Sequence, residues 1–282
     1  MKKIVLSVTA VMLAIAASAV TYMSVKTVDG QEVIYDLDNV KKIDYEEDAK
    51  TSTRYMCTEN IEWHVDKYDV ENVEVVDYEE YVASGEVDGY EYVDLGLPSG
   101  LLWSTMNVGM TKFGQYEFGD FFAFGEVSTK DNYLVDTYAH AERSIDELLK
   151  NGVLKPQYDA ATWNWSQRWR TPKMEEFQEL MDNCVFTWIA WNGIYGYKVV
   201  SLNNGNWIFL PAAGHYSGNY LYLGGTYEVK SDDEGCYLTS NVEYESDWKW
   251  LTVNSFYIGS GWKKIGSSRG YDGLSVRPVT QK

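Results

Sequence analysis

Cysteine, histidine and proline are scarce in this 282-residue chain, at 3, 3 and 5 residues. Cys57, Cys184 and Cys236 lie far apart and form no Cys-x-x-Cys pair, so they make neither a disulfide framework nor a zinc or dithiol motif. An exported chain could pair two of them, but buried small hydrophobes is the reading that suits three scattered thiols. Few prolines, and 23 glycines without a triplet period, exclude a collagen-like rod. Basic residues are outnumbered, 24 Lys+Arg against 42 Asp+Glu. The net charge of −18 argues against nucleic acid or anionic lipid as a partner. Beyond the N-terminus no apolar run approaches the roughly 18 residues of a membrane span, so no transmembrane span is expected in the mature chain. Aromatic residues, in contrast, are abundant: 23 Tyr, 11 Trp and 9 Phe make up 15% of the chain, a load that disordered proteins lack.

The first residues read as a processing signal. Met1-Lys2-Lys3 is a basic start, Ile4 to Ala17 is apolar apart from Ser7 and Thr9, and Ala17-Ser18-Ala19 fits a small-x-small cleavage site. Residues 1–19 are therefore expected to be a cleaved signal peptide. The protein is then exported to the periplasm, the outer-membrane surface or the medium.

Charge and tryptophan divide what remains. Residues 20–90 hold 6 basic and 19 acidic side chains, and of 11 tryptophans only Trp63 precedes residue 91. A linker is expected at 83–89, around Ala83-Ser84-Gly85 and Asp88-Gly89. Within 20–82, residues 22–47 align without a gap on 55–80, at an offset of 33, with 10 of 26 pairs identical. Val25–Val28 and Gln31–Tyr35 alternate about Asp29-Gly30, a hairpin signal, and Val40–Tyr45 reads as a third strand. Two small β-meanders that pack together are expected, since neither buries a sufficient face alone. The first copy resembles a segment common near the N-termini of exported Bacteroidota proteins.

In residues 90–282, Glu91–Leu95 and Leu101–Thr105 flank a Gly-Leu-Pro-Ser-Gly turn, and Lys198–Leu202 and Trp207–Leu210 flank Asn204-Gly205. Further strands are expected at Cys236–Ser240, Trp250–Asn254 and Leu274–Val279. Ser144–Leu149 is predicted helical. A stronger helix follows Thr171-Pro172, with Thr171 as N-cap, Pro172 first, and Met174, Phe177, Leu180, Met181 and Cys184 as its apolar stripe.

Several stretches then appear in a particular order: Tyr92–Trp103 (YVDLGLPSGLLW), Asn107-Val108-Gly109, Phe118–Glu126 (FGDFFAFGE), Tyr158–Thr162, Trp169-Arg170-Thr171-Pro172, Ile208–Gly214 and Leu274–Val279. By these motifs, nearly all of 90–282 is similar to the Fibrobacter succinogenes major paralogous domain family. Lys173 stands where that family usually has Thr. The resemblance implies a secreted or surface protein of Bacteroidota or relatives, with no established general function. It also implies a C-type-lectin-like fold related to the formylglycine-generating, sulfatase-modifying enzymes, closed by pairing of Tyr92–Leu95 with Ser275–Val279. The expected fold class is thus α+β, a C-type-lectin-like domain preceded by a small duplicated all-β module.

Chemistry is thinly signalled. His215 and Ser217 lack the G-x-S-x-G elbow of an activated serine. With 42 acids, close carboxylate pairs of the glycosidase kind arise by chance. No cofactor is expected; Ca²⁺ is the one metal that Asp232-Asp233-Glu234-Gly235 would suit, but EF-hand spacing is missing and a solvated loop is the simpler reading. The aromatics are more informative. Tyr220 and Tyr222, and Trp248 and Trp250, share a face if extended, and exposed rings of this kind stack on sugars or partner proteins. The expectation is an exported, non-catalytic binding or cell-surface protein recognising glycan or protein through these residues. An enzyme on the same scaffold, formylglycine-generating or glycosidic, is the alternative.

Overall fold

Val, Ile, Tyr, Phe and Trp recur in short alternating runs between Gly-containing turns, and such runs form strands. The computed structural model describes the strand backbones within residues 22–74, and residues 83–282 apart from 112–117, 142–144, 192–193, 219, 224–233 and 246–250. The signal-peptide expectation at 1–19 lies outside the described residues. Two units separate: residues 1–81 with 189–193, and residues 82–188 with 194–282.

The first unit contains β1 (Tyr22–Thr27), β2 (Glu32–Asp36), β3 (Val40–Glu47), β4 (Arg54–Asn60) and β5 (Val65–Glu74), in spatial order β2-β1-β5-β4-β3. The repeat is visible in the register. Tyr22 pairs with Asp36 and Met23 with Tyr35; 33 residues on, Tyr55 pairs with Asp69 and Met56 with Tyr68. The third segments are interleaved rather than kept within their own copies. β3 pairs with β4, the first strand of the second copy. The end of β5, Asn72–Glu74, pairs with β1, the first strand of the first copy. A lone hairpin is marginal in water, and this exchange gives each hairpin a third strand.

The second unit opens with β6 (Gly85–Val87), β7 (Tyr90–Asp94), β8 (Leu102–Ser104) and β9 (Phe121–Phe122). Next come α1 (Ile145–Leu148), β10 (Leu149–Lys150), β11 (Val153–Leu154), α2 (Ala160–Asn164) and α3 (Met174–Asn183). β12 (Cys184–Trp191), β13 (Ile194–Ser201), β14 (Trp207–Pro211), β15 (Gly214–Ser217) and β16 (Tyr220–Leu223) follow. The chain ends with β17 (Glu234–Glu245), β18 (Leu251–Gly259), β19 (Trp262–Arg269), β20 (Leu274–Ser275) and β21 (Val279–Thr280).

The α+β expectation, and with it the C-type-lectin-like class, is overturned: the chain is mainly β. The helices run only 4, 5 and 10 residues. The predicted helix at 144–149 amounts to one turn, too short to nucleate a layer. Meanwhile the apolar runs beyond α3 are drawn into strands.

The expected closure also differs. β21 pairs with β8, Val279 opposite Trp103 and Thr280 opposite Leu102, and not with Tyr92–Leu95. The reason is that both edges of β7 are already used, by β6 and by β8. In the segment expected as linker, Gly85–Val87 is thus a paired strand. Arg277, fully buried, ties this end of the chain inward: Nη1 donates to the Ser104 carbonyl at 3.1 Å and Nη2 to the Phe209 carbonyl at 2.8 Å.

A seven-stranded sheet carries the path β16-β15-β17-β18-β19, with β20 on β17 and β9 on β20. Phe122, Phe124, Leu148, Cys236, Leu238, Val253, Leu274 and Val276 fill one core beneath it. α3 buries Phe177 and Leu180; the Phe177 ring stacks on Phe256 at 4.7 Å and meets Trp103 edge-on at 5.1 Å. Each such side chain contributes roughly 1.5–3 kcal/mol.

The start of α3 departs from the expected cap. Lys173, not Thr171, is the N-cap. Its amide donates to Glu176 Oε2 at 2.7 Å, and the Met174 amide donates to Asn241 Oδ1 at 2.7 Å. Arg170 closes on Glu176 as a fork, at 2.8 and 2.5 Å. Thr171 instead donates its amide and hydroxyl to the buried carboxylate of Asp159, which also accepts the first amides of α2. Thr171 therefore joins two helix starts rather than capping one.

Candidate functional site

β15 and β16 are joined by a two-residue loop, and Gly218 takes a positive φ of 65° that suits glycine at such a turn. His215 lies opposite Tyr222, and Ser217 opposite Tyr220. Directly opposed residues share a face, so these four project from one side of the hairpin and Tyr216 from the other.

Tyr216 anchors the inner side. Its ring stacks against Tyr133 at 5.0 Å and meets Phe121 edge-on at 5.3 Å, in a cluster with buried Ala123, Tyr138 and Tyr271. Its amide and carbonyl both bond to Gly273, at 2.8 and 2.9 Å. The Tyr133 hydroxyl donates to the Phe121 carbonyl at 2.5 Å. With one side fixed, the outer rings need not move to be presented. Tyr220 is 75% exposed and Tyr222 43%.

Polar groups converge on the same face. The His215 ring lies parallel to that of Tyr222, with 4.8 Å between centroids. Its Nδ1 is 3.5 Å from Glu234 Oε1. Burial holds the imidazole pKa below its ordinary value, which keeps it neutral at pH 7. Ser217 interacts with Asp272, which is 8% exposed. Burial pushes the Asp272 carboxyl up to about 6, against the opposing pull of the Arg269 amide, the Ser217 hydroxyl and the Arg269 charge. Oδ2 accepts from the Arg269 amide at 3.1 Å, while Oδ1 is buried without a hydrogen bond of good geometry.

Of the residues expected to bind ligand, Tyr220 and Tyr222 are thus brought together, whereas Trp248 and Trp250 lie outside the described residues. Sequence reasoning missed Glu234 and Asp272 as neighbours of this face. Its one local signal was the Ser217-Gly218-Asn219-Tyr220 turn between two short alternating runs.

The arrangement bears on the catalytic readings. In a serine triad a histidine stands between hydroxyl and carboxylate. Here Ser217 meets the carboxylate itself, and the charged neighbour of His215 is Glu234. Cys184 and Cys236 are buried and free, and burial raises their thiols to about 11 and about 12, the opposite of an activated thiolate. Among the described residues no group of three or more His, Cys, Asp or Glu side chains could hold a metal; Asp232 and Asp233 lie outside them. No helix among the described residues is long and apolar enough to cross a membrane.

A groove of about 330 Å³ runs along α3, lined by Met174, Glu175, Gln178, Glu179, Asp182, Asn183 and Ile265. Glu179 is engaged there in structure, accepting from the Ser99 amide at 2.8 Å and the Ser99 hydroxyl at 2.7 Å.

Comparison of the chain with family models, curated proteins and solved structures gives no match.

Proposed function

We propose that this is an exported, non-catalytic binding or cell-surface protein that recognises glycan or protein through the outer face of the β15–β16 hairpin. The observation that carries the reading is the exposure of Tyr220 and Tyr222 side by side on a hairpin whose inner side is pinned by Tyr216. Rings held out at the cost of their own burial are characteristic of recognition surfaces. The ordered motifs of 92–279 support membership of the Fibrobacter succinogenes major paralogous domain family. The basic start, apolar run and Ala17-Ser18-Ala19 support export.

The enzyme reading needs an activated nucleophile or an accessible acid–base pair. Ser217 on a buried carboxylate, and two thiols held protonated, count against the first. The test is a glycan array, read with and without chelator, together with capture of surface proteins by the full chain and by its Tyr220→Ala, Tyr222→Ala double variant. Specific binding lost in the double variant, with near-ultraviolet circular dichroism unchanged, is the expected result. Binding that survives the double substitution removes this face from consideration.

A further inference from the structure

We infer that the β15–β16 face takes a neutral saccharide and turns away acidic ones; the inference rests on the proposed binding role of that face. Three features of the face point to it, beginning with size. Stable protein partners bury about 800 Å² on each side. The apolar surface offered here is two tyrosine rings and the half-exposed Leu134, which lies against Gly218. That is the scale of one or two sugar rings. Residues two apart on a strand are about 7 Å apart. Tyr220 and Tyr222 therefore form a short row of flat surfaces, suited to successive units of a chain.

The second feature is charge. Glu234 stands beside the row, paired only with an imidazole that is neutral at pH 7. Asp272 lies beneath Ser217. The nearest cation to Asp272, Arg269, already faces that carboxylate and lies over the Tyr271 ring at 5.7 Å. No free cation among the described residues of this face is left to meet a uronate or a sulfate ester. The chain as a whole carries −18, so an anionic polymer is repelled before it arrives.

The third is hydrogen-bonding capacity. An ionised carboxylate only accepts, and a saccharide hydroxyl is a ready donor. Glu234, a quarter exposed, and the Ser217 and tyrosine hydroxyls supply acceptors around the rings. Ring faces for C–H contact with acceptors at the margin are what an uncharged polyol needs. An anionic ligand needs donors.

The experiment measures the full chain by biolayer interferometry against immobilised oligosaccharides of equal length. Neutral gluco-, manno-, galacto- and xylo-oligosaccharides form one set, oligogalacturonate and a sulfated oligosaccharide the other. At least one neutral ligand should bind at least tenfold more tightly than either anionic one. Tyr220→Ala and Tyr222→Ala should each weaken it at least tenfold, and raising NaCl from 50 to 500 mM should leave it within about twofold. Glu234→Gln should narrow the neutral-to-anionic ratio at least threefold. Anionic ligands that bind equally well through the same tyrosines would overturn the class while leaving the binding face intact. Saccharide binding indifferent to both tyrosines, in variants with native circular dichroism, would overturn the face itself. No binding to either set would overturn the saccharide and leave only protein partners for the face.

Discussion

Replacing Asp272 by asparagine should make the protein more stable at pH 7. The carboxyl is 8% exposed, and burial lifts it from 3.8 to about 6. A raised acid pKa means that the folded chain holds a proton which the unfolded chain releases between those values. Stability therefore falls as pH rises from about 4 to about 6, and the deficit is complete above 6. Two units at about 1.36 kcal/mol each set a ceiling of about 3 kcal/mol. Asparagine is never charged and its carbonyl can still accept from the Arg269 amide, now at 3.1 Å. It loses the attraction to the Arg269 guanidinium, so the expected gain is about 1–3 kcal/mol at pH 7. Near pH 4 the wild-type carboxyl is itself protonated in the fold, and the two proteins should converge. Urea denaturation of both at pH 7 and pH 4 measures this directly. A variant destabilised by more than about 1 kcal/mol at pH 7, or a difference that does not change with pH, would refute the reasoning.

Other expectations follow from the same geometry. Thr171→Ala should cost about 1–3 kcal/mol in urea denaturation, because it strips a donor from the buried Asp159 carboxylate, and Thr171→Ser should restore most of it. Tyr216→Ala should cost about 2–4 kcal/mol through the void left between Tyr133 and Phe121, while Tyr220→Ala should stay within about 0.5 kcal/mol of wild type. In a thiol-reagent assay the native chain should react at no more than one of its 3 cysteines, since Cys184 and Cys236 are buried; denaturant should expose all of them. N-terminal sequencing of the exported protein should begin at or near Val20, and an intact Met1 in the envelope would reject cleavage.

Some of this was legible in the residues. The Gly96–Gly100 turn between β7 and β8, and Asn204-Gly205 between β13 and β14, mark their hairpins because glycine supplies backbone angles that other residues avoid. The apolar stripe of α3 is readable for the same local reason. β19 is not: Trp262–Arg269 carries three basic residues, glycine and two serines, an edge strand kept polar against mispairing, so no period announces it. The cap of α3 misled because Thr171 has a stronger partner in Asp159, 12 residues away, than in the helix ahead. Tyr220 and Tyr222 follow from alternation alone. Glu234 and Asp272 do not, since their approach depends on how β17 and β20 lie against β15.

The interleaved register of the first unit makes the duplication hard to undo. Each copy lends the segment that finishes its twin, so neither can be excised and leave a whole remainder. Deleting 55–80 would strip β1 and β3 of their partners at once. A chain carrying a single copy would meet the complement it lacks only on another molecule. Such a shortened ancestor would then have been a dimer, and joining two copies end to end would have turned an encounter between chains into a property of one.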